Sequence, residues 1–302
     1  MRKSTAMVGV LLVGILWGSA PTGTVIALNG LNVWDISFLR SIFASLILLL
    51  FLRNLSFLKM SRGEFLKILV LSFFGISLFW IFMTIGIEYS TPIKVSLLIN
   101  TSPLLVVILA HILLSEALTT PRLLGVLLGI TGTYIVISGG QILNLFSSET
   151  LFGDIFALAT AGCWAIYMIV YRKYIHQMKL THSQITANLF IIATFTLLPV
   201  ELATSSSSSF IHNIFQAPFE ALLATFWLGA ISSGIGFIVI NRCLGVLKAS
   251  VAAVNLMIIP LSAIVIANLI LGEEITLYKA AGGLLIILGI TIAELIGRNR
   301  LK

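Results

Sequence analysis

Ten stretches of about 17 to 25 mostly apolar residues recur along this chain, and they limit its fold more than any other feature. At 1.5 Å per residue, a helix of that length crosses the roughly 30 Å hydrocarbon layer of a bilayer. They lie at 5–28, 34–52, 65–87, 92–114, 120–140, 151–171, 183–202, 219–241, 249–271 and 276–296. Only 10% of the residues are charged, against about 25% in soluble domains. In lipid the backbone must satisfy its own polar groups, so runs of this length are helices. The expected fold class is an all-α integral membrane protein with ten transmembrane helices. The opening "MRKSTAMVGVLLVGILWGSA" has the basic start and small-residue exit of a secretory signal, but its apolar run continues through Val25 to Leu28. It reads as an uncleaved first span.

Charge sets the expected orientation. The net charge is +7, yet no segment gathers the basic residues into a soluble domain with aromatic platforms, so nucleic acid is excluded as a partner. With a cytoplasmic N-terminus, all 18 Lys and Arg residues except Arg40, Lys94 and Lys279 fall on the cytoplasmic side, as the positive-inside rule asks. That group includes Arg53, Lys59, Arg298, Arg300 and Lys302, while most acids fall on the other side. Both termini are expected in the cytoplasm, with the chain in a bacterial inner membrane. Cys163 and Cys243 sit in apolar runs without zinc-ligand spacing, so no disulfide, metal or cofactor is expected. The serine-rich stretch at about 203–213 reads as a flexible external loop.

The chain also repeats itself. One constant shift carries Pro103 onto Pro260, Glu116 onto Glu273, Gly125 onto Gly282 and Gly132 onto Gly289; near the start of each half a shorter shift carries Trp17 onto Trp164. Two five-helix units, 1–144 and 145–302, are expected. Five is odd, so the second unit enters the bilayer from the opposite face, giving inverted-topology repeats with a site at their interface. Pro103 and Pro260 are expected to act as hinges within helices 4 and 9. Glu116 and Glu273 are expected to cap the helices that follow them. Gly125, Gly132, Gly282 and Gly289 lie near one face of helices 5 and 10, which reads as close packing between scaffold helices.

These motifs carry a resemblance. "LWGSAPT" in helix 1, "SFLRSIFASLILL" in helix 2, the segment from Gly86 through helix 5 and its second copy from Arg242 onward resemble the drug/metabolite transporter superfamily, in its EamA branch. The two units are then EamA-type repeats. The resemblance implies a carrier of amino acids, nucleotide-like metabolites or drugs, and makes Arg40 a family position. Ser115 stands where the family commonly has glycine.

Polar and aromatic residues inside the spans are the site candidates. Ser96, Asn100 and His111 make a polar stripe on helix 4, with Asn255 on helix 9; Trp17, Trp80, Trp164 and Tyr167 lie away from the interfacial belts. Such residues line a cavity for a small amphipathic ligand or simply join helices, and both readings stay open. A central cavity is expected among helices 1, 3, 4, 6 and 9. Arg40 and His111 are candidate charge or coupling sites, alongside readings as a boundary residue paired with Asp35 and a residue in cytoplasmic water. Helices 1 and 6 hold no carboxylate in mid-membrane, which favours a net-neutral zwitterion as substrate. The expected function is alternating-access export of amino acids or similar small metabolites, with a monomer as the simplest unit. Nucleotide-like metabolites, drugs and lipid-linked sugars remain alternatives. An enzyme is not expected, since no HExxH pair, aspartate-rich motif or serine–histidine–acid trio occurs at the membrane edge.

Overall fold

The computed structural model describes residues 1–51, 60–141, 149–204 and 207–296. Within these residues ten helices are long and apolar enough to span a bilayer: α1 (Lys3–Ala27), α2 (Val33–Leu50), α3 (Arg62–Tyr89), α4 (Lys94–Leu114), α5 (Thr120–Ser138), α6 (Leu151–Gln177), α7 (His182–Thr204), α8 (Phe219–Leu244), α9 (Ala249–Leu271) and α10 (Leu277–Glu294). The ends lie within a few residues of the apolar runs. Arg53, Lys59, Arg298, Arg300, Lys302 and the boundary expected at 144/145 lie outside the described residues. Large apolar side chains such as Leu12, Leu46, Leu50, Phe195 and Leu269 are exposed on the outer surface, where lipid rather than water is their solvent.

Successive helix ends alternate between two faces. On the face that holds the N-terminus, the backbone N–H of Lys179 donates to Glu64 Oε1 at 2.8 Å and Arg172 Nη1 donates to the Leu244 carbonyl at 3.2 Å. On the opposite face Trp34 Nε1 donates to Glu88 Oε1 at 2.7 Å, and Lys94 lies 3.7 Å from Asp154. The serine-rich segment on that face is not a plain loop. A short helix, Ser207–Gln216, follows α7. Its residues Phe210 and Ile214, one turn apart, join an apolar cluster with Leu31 and Ile36, and Asn213 Nδ2 donates to Asp35 Oδ2 at 2.9 Å.

α5 and α10 cross at near-contact distance. A Cβ on Gly125 would lie 2.4 Å from the Gly289 carbonyl oxygen, and one on Gly132 would lie 2.6 Å from that of Gly282. α3 and α8 each contain a π-helical turn, over Phe73–Leu78 and Trp227–Ile235. The constant shift lays the first within the second, and π turns of this kind recur at functional sites.

The prolines interrupt α4 and α9 in a way the sequence pattern does not resolve. Each span is two helical pieces: Pro92–Ile99, which begins α4 two residues ahead of its apolar span, and Ser102–Leu114 in α4, and Ala249–Leu256 and Ile259–Leu271 in α9. The break falls ahead of the proline, which opens the second piece. There its missing N–H costs nothing, because a helix leaves its first donors unused anyway. Tight bonds close the gap: Thr101 N donates to the Leu98 carbonyl at 3.1 Å, and Met257 N to that of Val254 at 3.1 Å. α1 and α7 stay helical through Pro21 and Pro199. Toward the N-terminal face the pieces of α4 and α9 pack together, with Val107, Val254 and Met257 in one buried cluster. Toward the opposite face they stand on two sides of a cavity.

Candidate functional site

The cavity has a volume of about 310 Å³, at the small end of ligand pockets, which run from about 300 to 1,000 Å³. Its walls come from α1, α4, α5 and α9, with Glu273 and Lys279 at its mouth on the face opposite the N-terminus. α5 was expected to be scaffold only, yet Val136 and Ile137 sit on the cavity wall, while α3 and α6, expected there, contribute no residue to it. The polar groups inside are Thr22, Ser96 and Asn100. Ser96 and Asn100 are brought into the cavity by the short first piece of α4. Asn100, at the break, donates from Nδ2 to the Ser96 carbonyl at 2.8 Å. Thr22 was missed, although it closes the "LWGSAPT" motif.

The aromatic candidates lie elsewhere, within a cluster between α1, α3, α6, α7 and α8. Trp17 meets Trp164 edge-on at 5.4 Å, Trp164 stacks on Tyr167 at 5.3 Å, and Trp80 lies 6.2 Å from Phe190. Phe237, 5.1 Å from Phe190 and 5.5 Å from Trp17, joins the two ends. Three polar tips find protein partners: Trp17 Nε1 donates to the Ser232 carbonyl at 2.9 Å, Tyr167 Oη donates to Asn241 Oδ1 at 2.6 Å, and Asn241 Nδ2 donates to Thr186 Oγ1 at 3.0 Å. Phe237 was legible, since the constant shift carries Trp80 onto it. Asn241 carried no such signal.

Arg40 turns inward rather than toward Asp35. Its guanidinium lies 4.8 Å from the centre of the Trp80 ring and donates to Ser233 Oγ at 3.1 Å; Asp35 binds Asn213 instead. Asn255 is not on the cavity wall. It is buried and donates from Nδ2 to the Val251 carbonyl at 2.9 Å and to Glu294 Oε1 at 3.2 Å. His111 is exposed near the N-terminal face, its Nδ1 2.9 Å from the Glu116 carbonyl oxygen. The break in α4 disrupts the helical phase on which the stripe from Ser96 to His111 was read. Pro103 and Pro260 are buried beside the two breaks, and Pro260 also lines the cavity.

Glu116 corrects another expectation. Its carboxylate does not cap α5, the next helix, but the distant α9: Oε1 accepts from Ala249 N at 2.9 Å and Oε2 from Ser250 N at 3.2 Å, with the Ser250 hydroxyl also donating to it. The αL turn at Ser115 (φ 53°) sends the chain back so that Glu116 can reach there.

Ten apolar spans, two of them interrupted beside a small cavity, frame the site, and sequence comparison gives the family. The model of the EamA-like transporter family matches twice, over residues 4–138 and 151–294. The chain belongs to the EamA-like transporter family. An uncharacterized transporter of Archaeoglobus fulgidus is 29% identical over 91% of this chain and 92% of the relative. A probable terminal-alkyne amino-acid exporter of Streptantibioticus cattleyicolor is 25% identical over 99% and 97%. A solved crystal structure superposes with a TM-score of 0.80 at 18% identity, covering 98% of this chain and 100% of that one, which shows the shared fold. This transporter is therefore a multi-pass membrane protein whose partners are membrane lipid and a small-molecule substrate.

Proposed function

We propose that this transporter exports amino acids or similar small metabolites by alternating access, from a bacterial inner membrane in which both termini face the cytoplasm. The two units, 1–144 and 145–302, cross the membrane in opposite senses and rock about the cavity, flexing at the breaks beside Pro103 and Pro260. The observation that carries the reading is the cavity itself, which is small and held between the two interrupted helices. Its interior offers hydroxyl and amide groups, and its mouth carries one carboxylate and one ammonium, so a net-neutral zwitterion meets no uncompensated charge there. The name of the Streptantibioticus relative supports the same class. A lipid-linked sugar would need a basic headgroup site, and Arg40 is already engaged by Trp80 and Ser233.

The test is counterflow in proteoliposomes loaded with unlabelled amino acids, with labelled phenylalanine or threonine outside. Entry above empty liposomes that falls in Asn100→Leu supports the reading. No entry of either label overturns the amino-acid assignment.

A further inference from the structure

Glu116 is a carboxylate buried beside the start of a helix from the other half of the chain. Burying a charge is costly unless it is well bonded. Glu116 is 7% exposed and accepts two backbone N–H groups and the Ser250 hydroxyl. Arg122 completes the cluster, donating from Nη1 to Ser250 Oγ at 3.0 Å and to the Ala117 carbonyl at 3.1 Å. This contact ties the end of α4 to the start of α9 at the N-terminal face, where the two helices pack together and the cavity is shut.

The constant shift that relates the two halves carries Glu116 onto Glu273 and Arg122 onto Lys279. Those two residues stand at the open mouth of the cavity, paired with each other at 3.1 Å, with side-chain exposures of 53% for Glu273 and 21% for Lys279. The same acid and base are thus engaged across the halves on the shut face and disengaged on the open one. We propose that Glu116 with Arg122 is the latch that holds the N-terminal face closed, and that Glu273 with Lys279 is its counterpart, which docks on the start of α4 when the opposite face closes. The latch rests on the alternating-access reading but not on the identity of the substrate.

The two latches are unequal. The shift carries Ala249 and Ser250 onto Pro92 and Ile93. Proline has no N–H and isoleucine no hydroxyl, so of the three donors that hold Glu116 only one has an equivalent for Glu273. The Lys94 ammonium, next along, is held by Thr150 Oγ1 at 2.7 Å and by Asp154. The weaker latch makes closure of the Glu273 face the less stable state, which accounts for the conformation observed.

The experiment places one cysteine in the cavity, Ser96→Cys, in a background with Cys163→Ala and Cys243→Ala. A charged, membrane-impermeant maleimide is applied to vesicles of each orientation, and labelling rates from the two faces are compared. Glu116→Gln is expected to move the ratio of rates about tenfold toward the N-terminal face, the effect of losing a charge-assisted contact. The double variant Pro92→Ala with Ile93→Ser, which supplies the missing donors on the other side, is expected to move it in the same direction without touching the buried cluster. An unchanged ratio in the double variant, or in folded Glu116→Gln, overturns the latch. Labelling needs no substrate: counterflow with unmoved ratios rejects the latch and keeps the carrier, while moved ratios without counterflow reject the amino acid and keep the latch.

Discussion

His111 Nδ1 lies 2.9 Å from the carbonyl oxygen of Glu116, and the relationship is repeated in the second half, where Asn268 Nδ2 lies 2.7 Å from the carbonyl oxygen of Glu273. Histidine and asparagine share an N–H on a short side chain, so their equivalence under the constant shift identifies that N–H as what the turn needs. A ring nitrogen facing a carbonyl carries its proton. His111→Asn is therefore expected to keep transport within about twofold of wild type, with and without a pH gradient, because a donor is retained. His111→Leu is expected to lower stability by roughly 1 kcal/mol, read from melting in detergent. Loss of gradient-driven flux in His111→Asn would instead identify the imidazole as a proton carrier.

The residue that lets this turn form is under strain in one half only. Ser115 adopts φ 53°, and its counterpart Gly272 adopts φ 71°. A side chain in the left-handed region costs of order 1 kcal/mol or more, which glycine avoids. Ser115→Gly is expected to stabilise the protein by about 1 kcal/mol, and Gly272→Ser to destabilise it by a similar amount. Thermal melting of the purified protein checks both, and no change in either would mean that the surrounding contacts absorb the strain.

At the α5–α10 crossing, backbone meets backbone, so there is no flexible side chain to move aside. Gly125→Ala brings a methyl group to within 2.4 Å of the Gly289 carbonyl oxygen and is expected to cost about 1–3 kcal/mol by overpacking. Gly162→Ala, in α6, meets nothing within 4 Å. It is expected to be neutral or to gain up to about 1 kcal/mol from helix propensity. Equal melting temperatures for the two variants would show that the helices separate easily.

The spans were legible because an apolar run of membrane length has few alternatives, and the repeat because Pro103, Glu116 and Gly125 return at one spacing. What the pattern hid is tertiary. A proline at mid-span reads as a bend, but whether the helix breaks ahead of it depends on bonds such as that from Thr101 N to the Leu98 carbonyl. A glutamate at a helix end reads as a local cap, yet Glu116 finds its donors on Ala249 and Ser250, far away in sequence. Trp17 and Tyr167 read equally as cavity lining or as interior, and only the partners of their polar tips, the Ser232 carbonyl and Asn241, distinguish the two. The serine run concealed Phe210 and Ile214, whose spacing of one turn is a helical signal in that segment.

Asn100 on helix 4 and Asn255 on helix 9, both expected on the cavity wall, separate in the structure, and this gives the sharpest test of the site. Asn100 lines the cavity and spends its amide N–H on the Ser96 carbonyl, while Asn255 is buried and donates to Glu294. Leucine has a similar volume but no polar group. At position 100 it removes polarity from the cavity while lining it with an apolar side chain, so Asn100→Leu is expected to leave melting within about 0.5 kcal/mol and to reduce counterflow at least about tenfold, the loss of one ligand contact worth about 1.4 kcal/mol. At position 255 it leaves a buried site without its polar group and withdraws a donor from the half-buried Glu294 carboxylate, at a cost of about 1–3 kcal/mol. Asn255→Leu is therefore expected to melt earlier while the protein that remains folded transports at the wild-type rate. Counterflow normalised to folded protein, with melting measured in the same preparation, separates the two. Loss of normalised counterflow in Asn255→Leu, or its retention in Asn100→Leu, would move the substrate's path away from this cavity.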